Sequence, residues 1–117
     1  MDLTTRLVGT CFLVEVGDRE VDHTVSEEFK DAVLLRYETS GARDLLIDLG
    51  QVTFLDSKAI GAMVTMRKAA GGRGGRLGIC SLHPHVEKII RVVTLGTLFE
   101  AYPDRETAVE RLCGAGA

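Results

Sequence analysis

Residues 44–49 read Asp-Leu-Leu-Ile-Asp-Leu, with too few polar positions for a strand that keeps one face in water. A half-exposed strand alternates polar and apolar side chains, whereas one covered on both faces reads as a near-continuous apolar run. Covering both faces of a strand takes helices on each side of a sheet, so this segment predicts an α/β layering with residues 44–49 at its centre. A length of 117 residues accommodates one such core and is too short for two. Residues 1–117 are therefore expected to form a single domain.

The segments around this strand fill in the rest. Leu3–Val8 and Cys11–Val16 are short apolar stretches separated by Gly9 and Thr10, the pattern of a β-hairpin. Between Thr24 and Tyr37, Val25, Phe29, Ala32 and Val33 recur near the helical period, with Thr24 and Glu27 spaced as a capping box and Gly41 as the stop. Val52–Leu55 leads to Asp56 and Ser57, either of which suits a helix N-cap. Ala59, Ile60, Ala62, Met63, Val64, Met66 and Ala69 then form a broad apolar helix face, closed by the glycine-rich run Ala69–Gly75. Arg76–Cys80 reads as a short strand. Pro84 opens a third helix carrying Val86, Ile89, Ile90 and Val93, which breaks at Gly96 within Thr94–Thr97. Leu98–Tyr102 is a brief strand, and Asp104–Leu112 a last helix with acids first and Arg111 late. The order predicts a mixed central sheet that opens with a hairpin and carries four packed helices.

Composition narrows the function. With 45% hydrophobic and 26% charged residues the chain is not disordered. Fourteen Lys and Arg against 17 Asp and Glu leave a net charge of −3, and the cations form no continuous stripe, which excludes nucleic acid as the main partner. Apolar runs such as Cys11–Val14 fall far short of the roughly 20 residues that cross a bilayer, so no membrane insertion is expected. Met1–Gly9 has an early acid and no long apolar core, so no targeting signal is expected either. Cys11, Cys80 and Cys113 are odd in number and widely spaced, without Cys-x-x-Cys or Cys/His pairing. They read as reduced, mostly buried thiols of a cytoplasmic protein.

The chemistry concentrates in residues 45–64, where a buried strand ends in a loop that presents Asp56 and Ser57 at a helix start. There a hydroxyl stands at an exposed, electropositive corner. The stretch Phe54-Leu55-Asp56-Ser57-Lys58-Ala59-Ile60-Gly61, with Asp44–Leu49 before it and Asp22-His23-Thr24 upstream, resembles the STAS domain family of anti-sigma factor antagonists, over nearly the whole chain. The resemblance implies that Ser57 is a phosphoacceptor and that Asp22 matches the acid before the family's first helix. It also implies that the unphosphorylated domain binds a serine-kinase anti-sigma factor and frees the sigma factor, that the partner phosphorylates it from its own ATP, and that a PP2C-type phosphatase restores it. The domain itself is then no enzyme and needs no cofactor. The expected partner surface comprises Asp22, Thr24, Asp56, Ser57, Lys58, Ile60, Gly61 and Val64. Lys58 and Ala59 depart from the motif, where a small hydroxyl residue and Gly are commonest.

A phosphoryl group on Ser57 adds about −1.5 to −2 charge beside Asp56, which opposes docking, while the helix N-terminus tolerates the anion. The switch is therefore expected to abolish binding without unfolding the domain.

Competing readings are weaker. An Asp-Ser pair can be a plain helix cap, and His23 a solvated side chain. His83 and His85 flank Pro84 without a third ligand, so no metal is assigned. Gly71, Gly72, Gly74 and Gly75 with Arg73 and Arg76 lack the phosphate-loop spacing and follow a helix instead of preceding one. A receiver domain with Asp48 as acceptor conflicts with the opening hairpin and with the lack of a Lys after Leu98–Tyr102. The nearer rival is a non-catalytic STAS subunit of a signalling scaffold or of a lipid or anion transport complex.

Overall fold

The opening hairpin pairs Leu3–Val8 (β1) antiparallel with Cys11–Val16 (β2), Val8 standing opposite Cys11. A computed structural model describes residues 1–94 and 98–115 of the chain. The two-residue turn needs Gly9, which has φ 57° and whose added Cβ would lie 2.0 Å from the Cys113 carbonyl oxygen. β2 then pairs in parallel with Asp44–Asp48 (β4), β4 with Leu77–Cys80 (β6), and β6 with Glu100–Tyr102 (β7). The five-stranded sheet runs β1-β2-β4-β6-β7, which places β4 at its centre as the apolar run of residues 44–49 predicts.

Strand alternation divides the core in two. Phe12, Val14, Leu45, Ile47, Leu77 and Ile79 face one side of the sheet, while Cys11, Leu13, Leu46 and Cys80 face the other. The larger side is covered by Ser26–Ser40 (α1), Ser57–Gly72 (α2) and Pro84–Thr94 (α3), through Phe29, Val33, Tyr37, Met63, Met66, Val86 and Ile90. The smaller side is covered by Arg105–Arg111 (α4), through Ala108 and the following Leu112 and Cys113. Fully burying each large aliphatic or aromatic side chain contributes about 1.5–3 kcal/mol, so the α1–α3 layer supplies most of the hydrophobic stabilisation. Among the described residues no helix is long and apolar enough to cross a membrane.

Several expectations need correction. The Thr24–Glu27 capping box does not form: α1 begins at Ser26, and its N-cap, Val25, makes no side-chain capping bond. The Asp22 carboxylate instead accepts both the Thr24 amide (2.9 Å) and its hydroxyl (2.5 Å), so the amide that a capping box gives to Glu27 is already taken, and the N-cap falls one residue later, at Val25. α1 runs to Ser40 before Gly41 closes it in the left-handed conformation, φ 75°. Two short strands had no counterpart in the sequence reading: Glu20–Val21 (β3) and Phe54–Leu55 (β5) pair in parallel as a separate two-stranded ribbon. Of the break expected across Thr94–Thr97, Thr94 is the last residue of α3, and residues 95–97, with Gly96, lie outside the described residues.

The cysteines are not all reduced. Cys11 and Cys113 are joined by a disulfide, with their Cα atoms 5.1 Å apart across 102 residues of sequence. Only the fold brings the start of β2 beside the chain that leaves α4. Cys80 is a free, buried thiol, and burial pushes it up to about 12.

Candidate functional site

The β3–β5 ribbon sets the position of the Asp56–Ser57 corner. Val21 pairs with Leu55, and the Asp56 amide donates to the Val21 carbonyl at 3.3 Å, so the chain entering α1 and the chain entering α2 run side by side. Asp56 is the N-cap of α2. Its Oδ1 accepts the Ala59 amide at 2.9 Å, and its Oδ2 accepts the His23 amide at 2.7 Å. One carboxylate therefore starts the helix and ties the Asp22–Thr24 turn to it. The His23 imidazole lies beside the same oxygen, Nδ1 to Oδ2 3.5 Å, and stays largely exposed.

Two of the four first-turn amides of α2 end on Asp56: Ala59 on its carboxylate and Ile60 on its carbonyl, 3.1 Å. Those of Ser57 and Lys58 have no intrahelical partner and suit an anion. Ser57 is exposed, with Lys58 exposed beside it. Asp22 sits in the neighbouring turn, where hydrogen bonds from the Thr24 hydroxyl and amide hold its carboxyl below the usual range. The corner thus combines an exposed hydroxyl, two N–H donors without an intrahelical partner, an exposed lysine and two engaged carboxylates.

The α2 surface continues from Ser57. Gly61 is exposed and Val64 half-buried, at positions four and seven residues on, so both share the Ser57 face of the helix. Ile60 does not: it is 1% exposed and belongs to the core beside Met63. Its side chain cannot meet a partner, because the face carrying Ala59, Ile60, Ala62, Met63 and Met66 is the one turned to the sheet and α1. Thr24 is exposed but its hydroxyl is occupied by Asp22. Sequence reasoning missed Phe54, which is 38% exposed on β5, three residues before Ser57. No signal in the sequence separated it from buried Leu55, since both are apolar and the strand is two residues long.

A second polar group supports the loop that leads here. Asp48, at the end of β4, accepts the Gly50 amide at 2.8 Å and Arg105 Nε at 2.7 Å, and Arg105 also pairs with Glu15 at the end of β2. The His83 ring meets the Gly50 carbonyl, Nε2 to O 2.8 Å. Asp48 is therefore buried and committed to a half-exposed arginine, and not presented as an acceptor for phosphate. Among the described residues no three His, Cys, Asp or Glu side chains are grouped to hold a metal ion. Of the cations around the glycine run, Arg76 is paired with Glu100.

Comparison with known proteins agrees with this geometry. The STAS domain family model matches residues 5–108. A STAS-domain containing protein of Pseudomonas aeruginosa is 31% identical over 81 residues, covering 68% of this chain and 76% of its own. Among solved structures, an anti-sigma-factor antagonist (STAS) domain protein from Planctomyces limnophilus superposes with a TM-score of 0.83 at 19% identity, covering 94% of this chain and 96% of its own. The anti-sigma factor antagonist SpoIIAA in its unphosphorylated form gives a TM-score of 0.78 at 19% identity, covering 99% and 100%. The phosphorylated form of SpoIIAA, from Bacillus, gives 0.69 at 16% identity, covering 94% and 98%.

Proposed function

The chain belongs to the STAS domain family, and from that premise we propose that it is an anti-sigma factor antagonist switched by phosphorylation of Ser57. Unphosphorylated, it binds a serine-kinase anti-sigma factor in the cytoplasm and so releases the sigma factor. The partner's ATP supplies the phosphoryl group, a PP2C-type phosphatase removes it, and this domain catalyses neither step. The observation that carries the reading is the exposed Ser57 hydroxyl at the α2 N-terminus, next to an Asp56 carboxylate already engaged by two backbone amides. A dianion placed there leaves those bonds and the core intact. It brings about −1.5 to −2 charge to the rim of a surface that includes Phe54, Gly61 and Val64, and docking fails by repulsion and desolvation.

The test is a pull-down from source-cell extract with wild type, Ser57→Ala and Ser57→Asp as baits, with melting curves of all three. The expected result is a kinase-fold partner retained by Ser57→Ala and lost from Ser57→Asp, with all three melting within about 2 °C, since an exposed first-turn substitution costs about 0.5 kcal/mol or less. Equal recovery of the same partners on all baits would make Ser57 a simple part of the helix start and the domain an assembly subunit. A Ser57→Asp protein that melts far below wild type would also defeat the reading, because lost binding would then follow from misfolding.

A further inference from the structure

All three cysteines lie in the small core beneath α4, with Leu13, Leu46, Ala108 and Leu112. Two of them are bonded to each other and the third is not. We propose that Cys11 and Cys113 form a thiol–disulfide exchange site, a latch that holds α4 on the sheet when oxidised and lets it lift when reduced. The inference stands on this geometry alone and holds whatever Ser57 binds.

The latch occupies one end of a weakly anchored element. α4 has seven residues and buries only Ala108 within the helix, and a helix that short has no stability of its own in water. It is held at its N-terminal end by Arg105, which bonds Asp48 and Glu15. Its C-terminal end is held by Leu112, by the disulfide, and by the Cys113 carbonyl, which accepts the Thr10 amide at 2.9 Å. Elements with few buried contacts fluctuate most in the native state, so with Cys113 still tethered, excursions of Leu112 and the flanking chain give a small thiol access to the buried bond, and α4 lifts only once the bond is broken.

Cys80 cannot substitute in the pair. The register sets Cys11 level with Asp44 and Cys80 level with Asp48, so Cys80 lies four residues along and two strands across. That is about 13 Å by about 10 Å, well beyond the Cα separation of up to about 7 Å that a disulfide spans. Cys113, its Cα 5.1 Å from that of Cys11, is out of reach of Cys80 as well while α4 is seated, so the closed fold pairs Cys11 with Cys113 alone.

The reaction balances with a low-molecular-weight thiol such as glutathione. One thiolate attacks a sulfur of the pair, forming a mixed disulfide and releasing the other cysteine, which takes up a proton. A second thiol displaces the first as oxidised glutathione and leaves both cysteines as thiols. Two electrons and two protons pass to the protein, and oxidised glutathione drives the reverse.

Cys80 reports the state of the latch, because α4 covers it. Full-length protein is poised with glutathione at reducing and oxidising ratios and pulsed with iodoacetamide without denaturant, and label at each cysteine is read by peptide mass spectrometry. Denatured controls count the thiols. In the oxidised protein one cysteine should take label after denaturation, and three in the reduced protein. Native labelling of Cys80 should be at least about tenfold faster in the reduced protein and in Cys113→Ser, with hydrogen exchange faster in α4 than in α2. Three labelled cysteines after oxidation would remove the pair. An unchanged Cys80 rate would show that the disulfide holds nothing in place. Exchange accelerated equally in α2 and α4 would make it a staple of the whole fold and overturn the local latch.

Discussion

Replacing Asp56 by Ala removes two bonds at once, and the structure sets the size of the loss. The cap bond to the Ala59 amide is worth about 1 kcal/mol, the usual cost of replacing an N-cap by Ala. The bond to the His23 amide joins a carboxylate to a backbone donor across 33 residues, but the Asp56 side chain is 23% exposed and solvent weakens the bond, to about 1 kcal/mol. The sum of about 2 kcal/mol lowers the thermal midpoint of a domain this size by about 8 °C, and a urea midpoint by about 1.3 M at a slope of about 1.5 kcal/mol/M. Asp56→Asn keeps an efficient cap and loses only charge, so it should cost about 0.5–1 kcal/mol. Urea unfolding followed by circular dichroism gives the free energies, and hydrogen exchange at the His23 and Ala59 amides assigns them to the two bonds. An Asp56→Ala urea midpoint within about 0.3 M of wild type would refute the clamp, and so would exchange that rises at Ala59 but not at His23.

Three other perturbations probe the surroundings. Arg105→Ala takes the cation from buried Asp48, and because Arg105 is itself 34% exposed and solvent can replace it, the cost should be about 1.5 kcal/mol, whereas Arg91→Ala, which breaks an exposed pair with Glu87, should cost about 0.5 kcal/mol or less; chemical denaturation of both variants makes the comparison. Gly61→Ala should stabilise α2 by about 0.5–1 kcal/mol, since an added Cβ meets nothing within 4 Å, while weakening binding of the proposed anti-sigma partner, which docks on that face in our proposal; melting and pull-down read the two effects separately. Burial alone would raise the Asp44 carboxyl, but the Thr10 hydroxyl, the Arg76 amide and Arg43 together hold it below its ordinary value. A depressed folded value contributes stability that is present above the unfolded value of about 3.9 and lost as pH falls through the folded one. Unfolding free energy should thus decline below about pH 4, and in Asp44→Asn that decline should be shallower across urea titrations from pH 5 to 2.

How much of this was legible in the sequence differs by element. Residues 44–49 could be placed at the centre because burial on both faces leaves a compositional trace, and β4 lies between β2 and β6 with all five residues buried. The hairpin, the starts of α2, α3 and α4, and the Gly41 stop were legible for the same reason: local backbone chemistry shows in local residue type. The capping box at Thr24 misled because its amide had two carboxylates in reach along the chain, Glu27 and Asp22, and Asp22 took the bond. Within α2, periodicity showed that a broad face was apolar, but not where the solvent boundary fell. Ile60 went to the core and Val64 to the edge.

By itself the sequence determined the α/β layering, the central strand and the placing of Asp56 and Ser57 at a helix start, because each depends on neighbours within a few residues. Tertiary structure alone decided the rest. The β3–β5 ribbon has two residues per strand, too few for a periodic signal, and exists because residues 20–21 and 54–55 meet in space. The tie from Asp56 to His23, the Asp48–Arg105–Glu15 group and the Cys11–Cys113 bond span 33, 90 and 102 residues at their widest. Contacts at such separations depend on the path of the chain between them, and no local preference of either partner encodes that path.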